Sequence, residues 1–228
     1  MYGRNDRNMK QNKTRKPLLP VYAYAPMAIV VAAGILTYFG TRLVTQGRTH
    51  SILALPIDGA IPFVPFFSIL YVLAFAQWGA GIVLIAREER EICRRVMAGE
   101  IIAKLICMAL FIILPTTMVR AEIPSNDVFS GIMKFIYKID APNNLFPSIH
   151  CMESWTCFCA ARRMKRTGKG YLYFSLVFSL LVCASTVLVK QHVAVDIAAG
   201  ILVAEIGQYI ARKLSAERVF ERIDGIFR

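Results

Sequence analysis

Charged residues are scarce in this chain, and apolar residues are abundant. Of its 228 residues, 18% are charged and 56% are hydrophobic, and the mean hydropathy is +0.50. This composition excludes an ordinary soluble domain, because too few polar side chains are available to cover its surface. A bilayer core of about 30 Å needs about 20 apolar residues per helix, and several runs of that length are present. We therefore expect one integral membrane domain.

Acidic residues are fewer than basic residues, 15 against 27, and the formal net charge is +12. A basic excess of this size can indicate nucleic-acid binding, but the Lys and Arg residues form separate clusters between the apolar runs. We expect no nucleic-acid partner. The six cysteines lie in or beside apolar runs and lack the spacing of a zinc module or a small secreted scaffold. They are interpreted as packing residues.

Six apolar segments predict an all-α bundle of six transmembrane helices. The predicted spans are residues 22–42, 63–86, 99–118, 148–161, 171–189 and 192–212, of which the fourth is short for a full crossing. Residues 1–20 are polar and basic, so they predict a disordered tail without a cleavable signal peptide. The membrane domain is expected over residues 21–215, followed by a short tail at residues 216–228.

The loops between the predicted spans differ in charge. Lys and Arg are concentrated in the N-terminal tail and after spans two, four and six, whereas the remaining loops contain few of them. Because positively charged loops stay in the cytoplasm, this pattern places both termini there. We expect a multi-pass protein, in the plasma membrane, with the other loops facing outward.

A first polar motif stands directly before the fourth predicted span, where residues 143–150 read Asn-Asn-Leu-Phe-Pro-Ser-Ile-His. Pro147 and Ser148 are typical of a helix start, and His150 falls in the first turn. Free N–H groups and the positive end of the helix dipole bind phosphate at such a place, and Ser148 adds a hydroxyl donor. His150 would lie beside the phosphate for proton transfer. The alternative is a helix cap followed by a packing histidine.

A second polar motif opens the sixth predicted span. His192 and Asp196 are four residues apart, so on a helix they share one face. There the carboxylate accepts from one ring nitrogen, fixes the tautomer and leaves the other nitrogen free to attack phosphorus. An acid in an apolar span also needs a partner, because placing it at the bilayer centre costs about 2.5–3.5 kcal/mol. A purely structural His–Asp pair is the alternative.

Arg120 follows the third predicted span. Alone, an arginine at this place predicts a side chain that reaches toward lipid head groups. However, Arg120, Ser148, His150, Lys190 and His192 all fall at outward ends of predicted spans. Basic side chains that only reach toward lipid head groups would not all have to lie on the same side as both histidines. We therefore expect these residues to form one site.

Together these residues resemble the pattern of the type 2 phosphatidic acid phosphatase (PAP2) superfamily, over roughly residues 100–212. Pro-Ser-x-His and His-x3-Asp match the last two of its three elements closely. The resemblance implies a PAP2-like bundle of six membrane helices and a phosphohistidine intermediate. In that mechanism His192 attacks phosphorus, Asp196 orients it, and His150 protonates the leaving oxygen.

Two cations of the family pattern are absent. Ile113 stands where the lysine is expected, and Thr186 follows Ser185 where the arginine is expected. Arg120 remains as a predicted phosphate ligand, and Lys190 is predicted to supply a further positive charge. The loose pattern is also similar to the branch that contains inositol phosphorylceramide and sphingomyelin synthases, which pass a phosphoryl head group to an alcohol.

We expect a metal-independent phosphatase that hydrolyses a lipid phosphomonoester or diphosphate at the outer face, in contact with membrane lipids. One alternative is a head-group transferase on the same scaffold. Another is a non-enzymatic transport or lipid-binding protein in which the histidines, Asp196 and Glu205 form a proton or anion pathway. No metal or other cofactor is expected, because Arg120 and Lys190 favour an anion. A zinc ion bound by the two histidines and Asp196 is the alternative.

Overall fold

The computed structural model describes residues 19–123 and 126–226, so nearly all of the predicted basic tail lies outside the described residues. The helices in chain order are α1 (Val21–Ile35), α2 (Thr41–Thr45), α3 (Pro56–Ala60), α4 (Ser68–Ala86), α5 (Arg90–Ile113), α6 (Val128–Ile139), α7 (Ile149–Ala161), α8 (Lys169–Leu188), α9 (Ala194–Lys213) and α10 (Arg218–Ile226). A π-helical turn at Leu36–Gly40 joins α1 to α2, and a 3-10 turn at Pro65–Phe67 precedes α4. Isolated bridges but no β-strand occur among the described residues, so the all-α prediction is confirmed.

Five helical segments of the described chain are long and apolar enough to cross a membrane. They are Val21–Thr45, Pro65–Ala86, Arg90–Ile113, Lys169–Leu188 and Ala194–Lys213. The fourth predicted span corresponds to α7, whose 13 residues rise only about 20 Å. An all-α membrane bundle is therefore found, whereas six full-length spans are not confirmed.

The short helix α7 nevertheless connects the two ends of the bundle. Just before its start, the Ser148 N–H donates to the Asp196 carbonyl in the first turn of α9, at 3.2 Å. Beyond its end, the N–H groups of Lys165 and Arg166 donate to the Glu88 carboxylate between α4 and α5, at 3.2 and 2.8 Å. We call the end at Ser148 the site end and the end at Glu88 the basic end.

The third predicted span, residues 99–118, is wrong at both boundaries, because α5 covers Arg90–Ile113. The chain leaves the helix before Pro115, and Thr116 forms an isolated bridge with Ser51. At the other end the helix includes charged residues because these are paired. Arg94, only 1% exposed, forms an ion pair with Asp224 from distant α10, a contact that hydropathy cannot indicate.

Helix α10, which lies within the predicted tail of residues 216–228, packs on the bundle. Phe220 is buried against Ala98 of α5 and Ala211 of α9. Asp224 pairs with Arg94 and with Arg90, and the hydrogen bonds from these arginines lower the pKa of Asp224 below its ordinary value. Helix α10 is thus fixed to the basic end by apolar contact and charge.

Two features allow the spanning helices to pack closely. At the crossing of α5 and α9, a Cβ on Gly207 would lie 2.4 Å from the Gly99 carbonyl oxygen, so the two backbones nearly touch. Within the bundle, Lys104 Nζ donates to Glu100 at 2.7 Å and forms an ion pair with Glu153 at 2.9 Å. These buried charges therefore compensate one another between α5 and α7.

Candidate active site

His192 lies in the turn between α8 and α9, at the site end and outside both spanning helices. Helix α9 begins at Ala194, so His192 precedes it and Asp196 occupies its first turn. His192 Nδ1 is 3.1 Å from Asp196 Oδ2, and the Val193 N–H donates to the same oxygen at 3.1 Å. The two side chains are paired, but across a helix start. The expectation that they share one helical face is wrong.

The pairing determines the state of the His192 ring. An ionised carboxylate only accepts, so Nδ1 carries the proton and Nε2 retains the lone pair. Burial alone would lower the pKa of His192, but the hydrogen bond and charge of Asp196 outweigh it and raise that pKa above its ordinary value. Nε2 is therefore a basic nitrogen with a fixed direction, as a nucleophile requires.

His150 is the second residue of α7 and packs among aromatic side chains from α4. Its ring stacks on Tyr71 with 3.9 Å between centroids, and it lies 5.0 Å from Trp78 and 5.5 Å from Phe75. The centroids of His150 and His192 are 6.4 Å apart. His150 Nε2 is buried and has no hydrogen-bond partner among the described residues. His150 is not among the residues that line the cavity at this end, but its ring is a near neighbour of the His192 ring.

Ser148 caps α7, as its sequence position predicts. The fully buried Oγ accepts from the Cys151 N–H at 3.3 Å. The start of α7 lies directly against α9, where a Cβ on Gly200 would lie 2.7 Å from the Ser148 carbonyl oxygen. The absence of a side chain at Gly200 therefore permits the spacing that brings His150 beside His192.

Arg120 lies in the loop after α5 and points to carbonyl oxygens. Its Nη1 donates to the Tyr137 carbonyl at 2.7 Å, and its Nη2 donates to the Asp140 carbonyl and to Gln191 Oε1 at 3.3 Å. None of these acceptors is a carboxylate, and Arg120 Nε is buried without a partner among the described residues. No carboxylate neutralises the guanidinium through these contacts, and the phosphate-binding role of Arg120 stays a prediction.

Lys190 lies at the wall of the same cavity, but its ammonium group is hydrogen-bonded to protein. Nζ donates to the carbonyl oxygens of Asp58 at 2.8 Å and Ile61 at 2.6 Å. Both acceptors belong to the connection between α2 and the 3-10 turn, residues 46–64, which we call the α3 loop. The phosphate-binding role of Lys190 stays a prediction.

A cavity of about 360 Å³ opens at the site end. Asp58, Arg120, Lys190 and His192 contribute its polar lining. The remaining wall is apolar and includes Ile52, Ile61, Met118, Val119 and Val187. The cavity thus combines a few polar and charged side chains with a largely apolar wall.

The two positions that depart from the family pattern supply no replacement cation. Ile113 is 74% exposed at the end of α5. Thr186 is fully buried, and its carbonyl oxygen accepts from the N–H groups of Gln191 at 3.0 Å and His192 at 3.1 Å. Thr186 consequently shapes the turn that carries His192.

Several residues of this region were missed by the sequence analysis. Trp78 donates from Nε1 to Ser154 Oγ at 2.9 Å and contacts the His150 ring, together with Tyr71. Trp78 lies in the middle of a predicted span rather than in the interfacial belt where tryptophan is common, and this unusual position could have indicated a special role. Nothing local in the sequence indicates that the distant residue Asp58 would meet the α8–α9 turn.

The structure separates Glu205 from the other ionisable residues of the predicted transport pathway. Glu205 accepts from Trp155 Nε1 at 2.8 Å and Arg162 Nη2 at 2.5 Å, toward the basic end. It lies nine residues after Asp196 on α9, about 13 Å along the helix. Glu205 therefore forms no cluster with Asp196 and the histidines. Among the described residues, no group of three or more His, Cys, Asp or Glu side chains is arranged to hold a metal ion.

A sequence model of the PAP2 superfamily matches residues 48–210. This match covers more than half of the 228 residues and includes all of the predicted site residues. Comparisons with curated proteins and with solved structures gave no match. The chain belongs to the PAP2 superfamily, which generally comprises phosphatases acting on phosphoester bonds.

Proposed function

We propose that this protein is a lipid phosphatase that forms a phosphohistidine on His192. The observation that carries the proposal is the paired His192–Asp196 geometry at 3.1 Å, which leaves Nε2 beside a cavity lined by Arg120. The positive charge of Arg120 near His192 favours a negatively charged phosphate substrate over a cation. His150, with its centroid 6.4 Å from that of His192, is the second proton-transfer group.

In the first step, His192 Nε2 attacks phosphorus and the bond from phosphorus to the leaving oxygen breaks. Asp196 holds the Nδ1 proton and stabilises the positive charge that develops on the ring. His150 gives a proton to the leaving oxygen, so the lipid alcohol departs neutral. Arg120 and the N–H groups at the start of α7 stabilise charge on the other phosphoryl oxygens.

In the second step, water attacks the phosphohistidine. His150, now without its proton, accepts one from the water, and the bond from phosphorus to His192 Nε2 breaks. Inorganic phosphate is released and both histidines return to their starting states.

A lipid substrate is favoured by the surroundings of the cavity. Its wall is largely apolar, and the helices that support it are long and apolar enough to span a membrane. We place the site end outside the cell and both termini in the cytoplasmic compartment, because the basic end contains the concentrated Lys and Arg residues. The substrate is then a phosphomonoester or diphosphate lipid of the outer leaflet of the plasma membrane.

A head-group transferase is the second candidate, and the apolar wall is the observation that favours it. His192 is only 8% exposed, so water has restricted access to the phosphohistidine. A lipid alcohol bound against Met118 and Val119 would then replace water as the acceptor. The two candidates differ only in the second step.

The test is phosphate release by purified protein from phosphatidic acid, phosphatidylglycerol phosphate and a polyprenyl diphosphate, with and without added lipid alcohols. We expect His192→Ala to abolish release and phosphoryl labelling of the protein, because the nucleophile is removed. His150→Ala should slow release by about 10²–10⁴-fold, the usual contribution of a proton-transfer group.

The matched control is His50→Ala, which removes the third histidine from a loop at the same end without touching the proposed site. Formation of a phosphorylated alcohol in place of inorganic phosphate would identify the transferase. No turnover of any lipid by the wild-type protein, or full activity of His192→Ala, would contradict the proposed chemistry.

A further inference from the structure

We infer that Asp58 is a positioning residue for the nucleophile, acting with Lys190 as a two-sided attachment of the His192 turn to the α3 loop. The inference rests on the proposed function of His192 and adds a residue outside the matched family motifs. It also gives Lys190 a role different from direct phosphate binding.

Asp58 contacts the chain on both sides of His192. Its carboxylate Oδ1 accepts from the Ala194 N–H at 2.7 Å, and its carbonyl oxygen accepts from Lys190 Nζ at 2.8 Å. Ala194 follows His192 by two residues, and Lys190 precedes it by two. One residue of the α3 loop therefore fixes both flanks of the nucleophile.

The backbone of the turn requires such support. Lys190 has φ of +52°, in the left-handed region that side-chain-bearing residues adopt only at a cost. Its ammonium group donates to Asp58 and, at 2.6 Å, to the Ile61 carbonyl. These two hydrogen bonds stabilise a conformation that directs the chain from α8 toward His192.

The α3 loop itself is fixed to the bundle. Its Val64 N–H donates to the Leu188 carbonyl at the end of α8, at 2.8 Å, and Ser51 exchanges hydrogen bonds with residues 115 and 117 at 2.9 Å. Asp58 Oδ2 also accepts from the Leu55 N–H at 2.7 Å, which orients the carboxylate. Because the α3 loop is fixed, its hydrogen bonds to Lys190 and Ala194 hold the His192 turn in a fixed position.

Both hydrogen bonds from Lys190 Nζ go to carbonyl oxygens of residues that line the cavity. In the proposed mechanism Arg120 binds the phosphoryl group, whereas Lys190 acts through the backbone. A small displacement of Nε2 strongly lowers the rate of attack, since about 1 Å of misplacement costs about 10²-fold. Substrate affinity depends much less on that displacement.

The experiment compares kcat, KM and inhibition by orthovanadate in the full-length protein. We expect Asp58→Ala and Lys190→Ala each to lower kcat by about 10²-fold with KM and vanadate inhibition little changed. Arg120→Ala, by contrast, should weaken vanadate inhibition. Asp58→Asn keeps an oxygen that accepts from Ala194 and should recover most of the lost kcat. Lys190→Gly removes the backbone strain as well as the ammonium and should stay slow.

A second measurement does not need turnover. Hydrogen exchange of the peptide that contains Ala194 should become faster in Asp58→Ala and remain slow in Asp58→Asn. The matched control is Asp127→Ala, which removes an acidic cap from α6 at the same end but leaves the His192 turn unchanged. It should alter neither kcat nor exchange at Ala194.

The outcomes separate the two proposals. Inactive wild-type protein contradicts the proposed function, and the exchange measurement then decides on the attachment alone. Active wild-type protein with undiminished kcat in Asp58→Ala overturns the inference. Weakened vanadate inhibition in Lys190→Ala, comparable to that in Arg120→Ala, makes Lys190 a phosphate ligand and also overturns it.

Discussion

One carboxylate oxygen of Asp196 binds both the proposed nucleophile, His192, and a backbone N–H at the start of α9. Oδ2 accepts from His192 Nδ1 and from the Val193 N–H, each at 3.1 Å. The N–H contact satisfies one of the free donors at the start of α9, and the ring contact fixes the tautomer of His192. At this one residue, local helix stability and catalytic geometry are therefore coupled.

The raised pKa of His192 determines the expected pH dependence. Only the ring with an unprotonated Nε2 can attack phosphorus, so kcat/KM should fall as the pH decreases through that raised pKa. In Asp196→Asn the raising interaction is lost while burial remains, so the acidic limb should shift to lower pH. The maximal rate should fall by about 10²–10⁴-fold, because the tautomer is no longer fixed. The pH profile of kcat/KM checks both effects.

An unchanged acidic limb in Asp196→Asn would contradict the assignment of His192 as the titrating nucleophile. Glu91→Gln is a suitable control, since Glu91 pairs with Arg95 at the basic end and makes no hydrogen bond to His192. Its profile should keep the acidic limb of the wild type.

Spacing and residue type in the sequence predicted the central residues of the site but not the residues around them. The cap that Ser148 forms at the start of α7 and the pair of His192 with Asp196 could be predicted, because each contact joins residues only three or four positions apart. Asp58 meets Ala194 across 136 positions, and no local pattern encodes such a contact. Lys190 was predicted from charge alone, which does not specify its acceptors.

At the element scale, the relation of α7 to α9 determines the distance between the histidines. Each helix start carries one histidine, and the starts are joined by the hydrogen bond from the Ser148 N–H to the Asp196 carbonyl at 3.2 Å. Gly200 permits this approach, because any Cβ there would overlap the Ser148 carbonyl. The spacing of the site is thus a property of two packed helices.

We predict that Gly200→Ala separates these helix starts. The added Cβ would lie 2.7 Å from the Ser148 oxygen and 3.0 Å from Cys151 Cβ, neither of which is a flexible side-chain end. The expected result is a loss of about 1–3 kcal/mol in stability and of about 10²-fold in kcat. Thermal unfolding and turnover of the purified variant measure the two effects.

Gly79→Ala is the matched control, because Gly79 lies in spanning helix α4 and a Cβ there meets nothing within 4 Å. It should retain both stability and kcat. A Gly200→Ala protein with wild-type turnover would show that the α7–α9 distance does not limit the reaction.

Hydropathy located the spanning elements well but not the ends that depend on tertiary contacts. The predicted second span, 63–86, agrees closely with Pro65–Ala86. Helix α5 extends to Arg90 because Arg94 pairs with Asp224, and α10 forms because it buries Phe220. Both outcomes depend on charges and apolar faces that meet only after folding.

At the scale of the whole molecule, the two ends differ in chemistry. The site end contains the cavity and both histidines of the candidate site, whereas the basic end contains the turns rich in Lys and Arg and the packed helix α10. Because α7 also runs between these ends, the chain alternates in direction through the bundle even though α7 is short. A single orientation in the membrane therefore determines both the face on which the site lies and the opposite face on which both described ends of the chain lie.

We predict that the site end faces outward, which can be tested with single introduced cysteines. The six native cysteines are buried, so a membrane-impermeant maleimide should react weakly with the wild-type protein. Lys138→Cys places a thiol on the exposed face of α6 at the site end, and Arg218→Cys places one on the exposed face of α10 at the basic end. In intact cells, Lys138→Cys should be labelled, whereas Arg218→Cys should require permeabilised cells. The reverse pattern would place the reaction in the cytoplasmic leaflet and contradict the orientation that the basic loops predict.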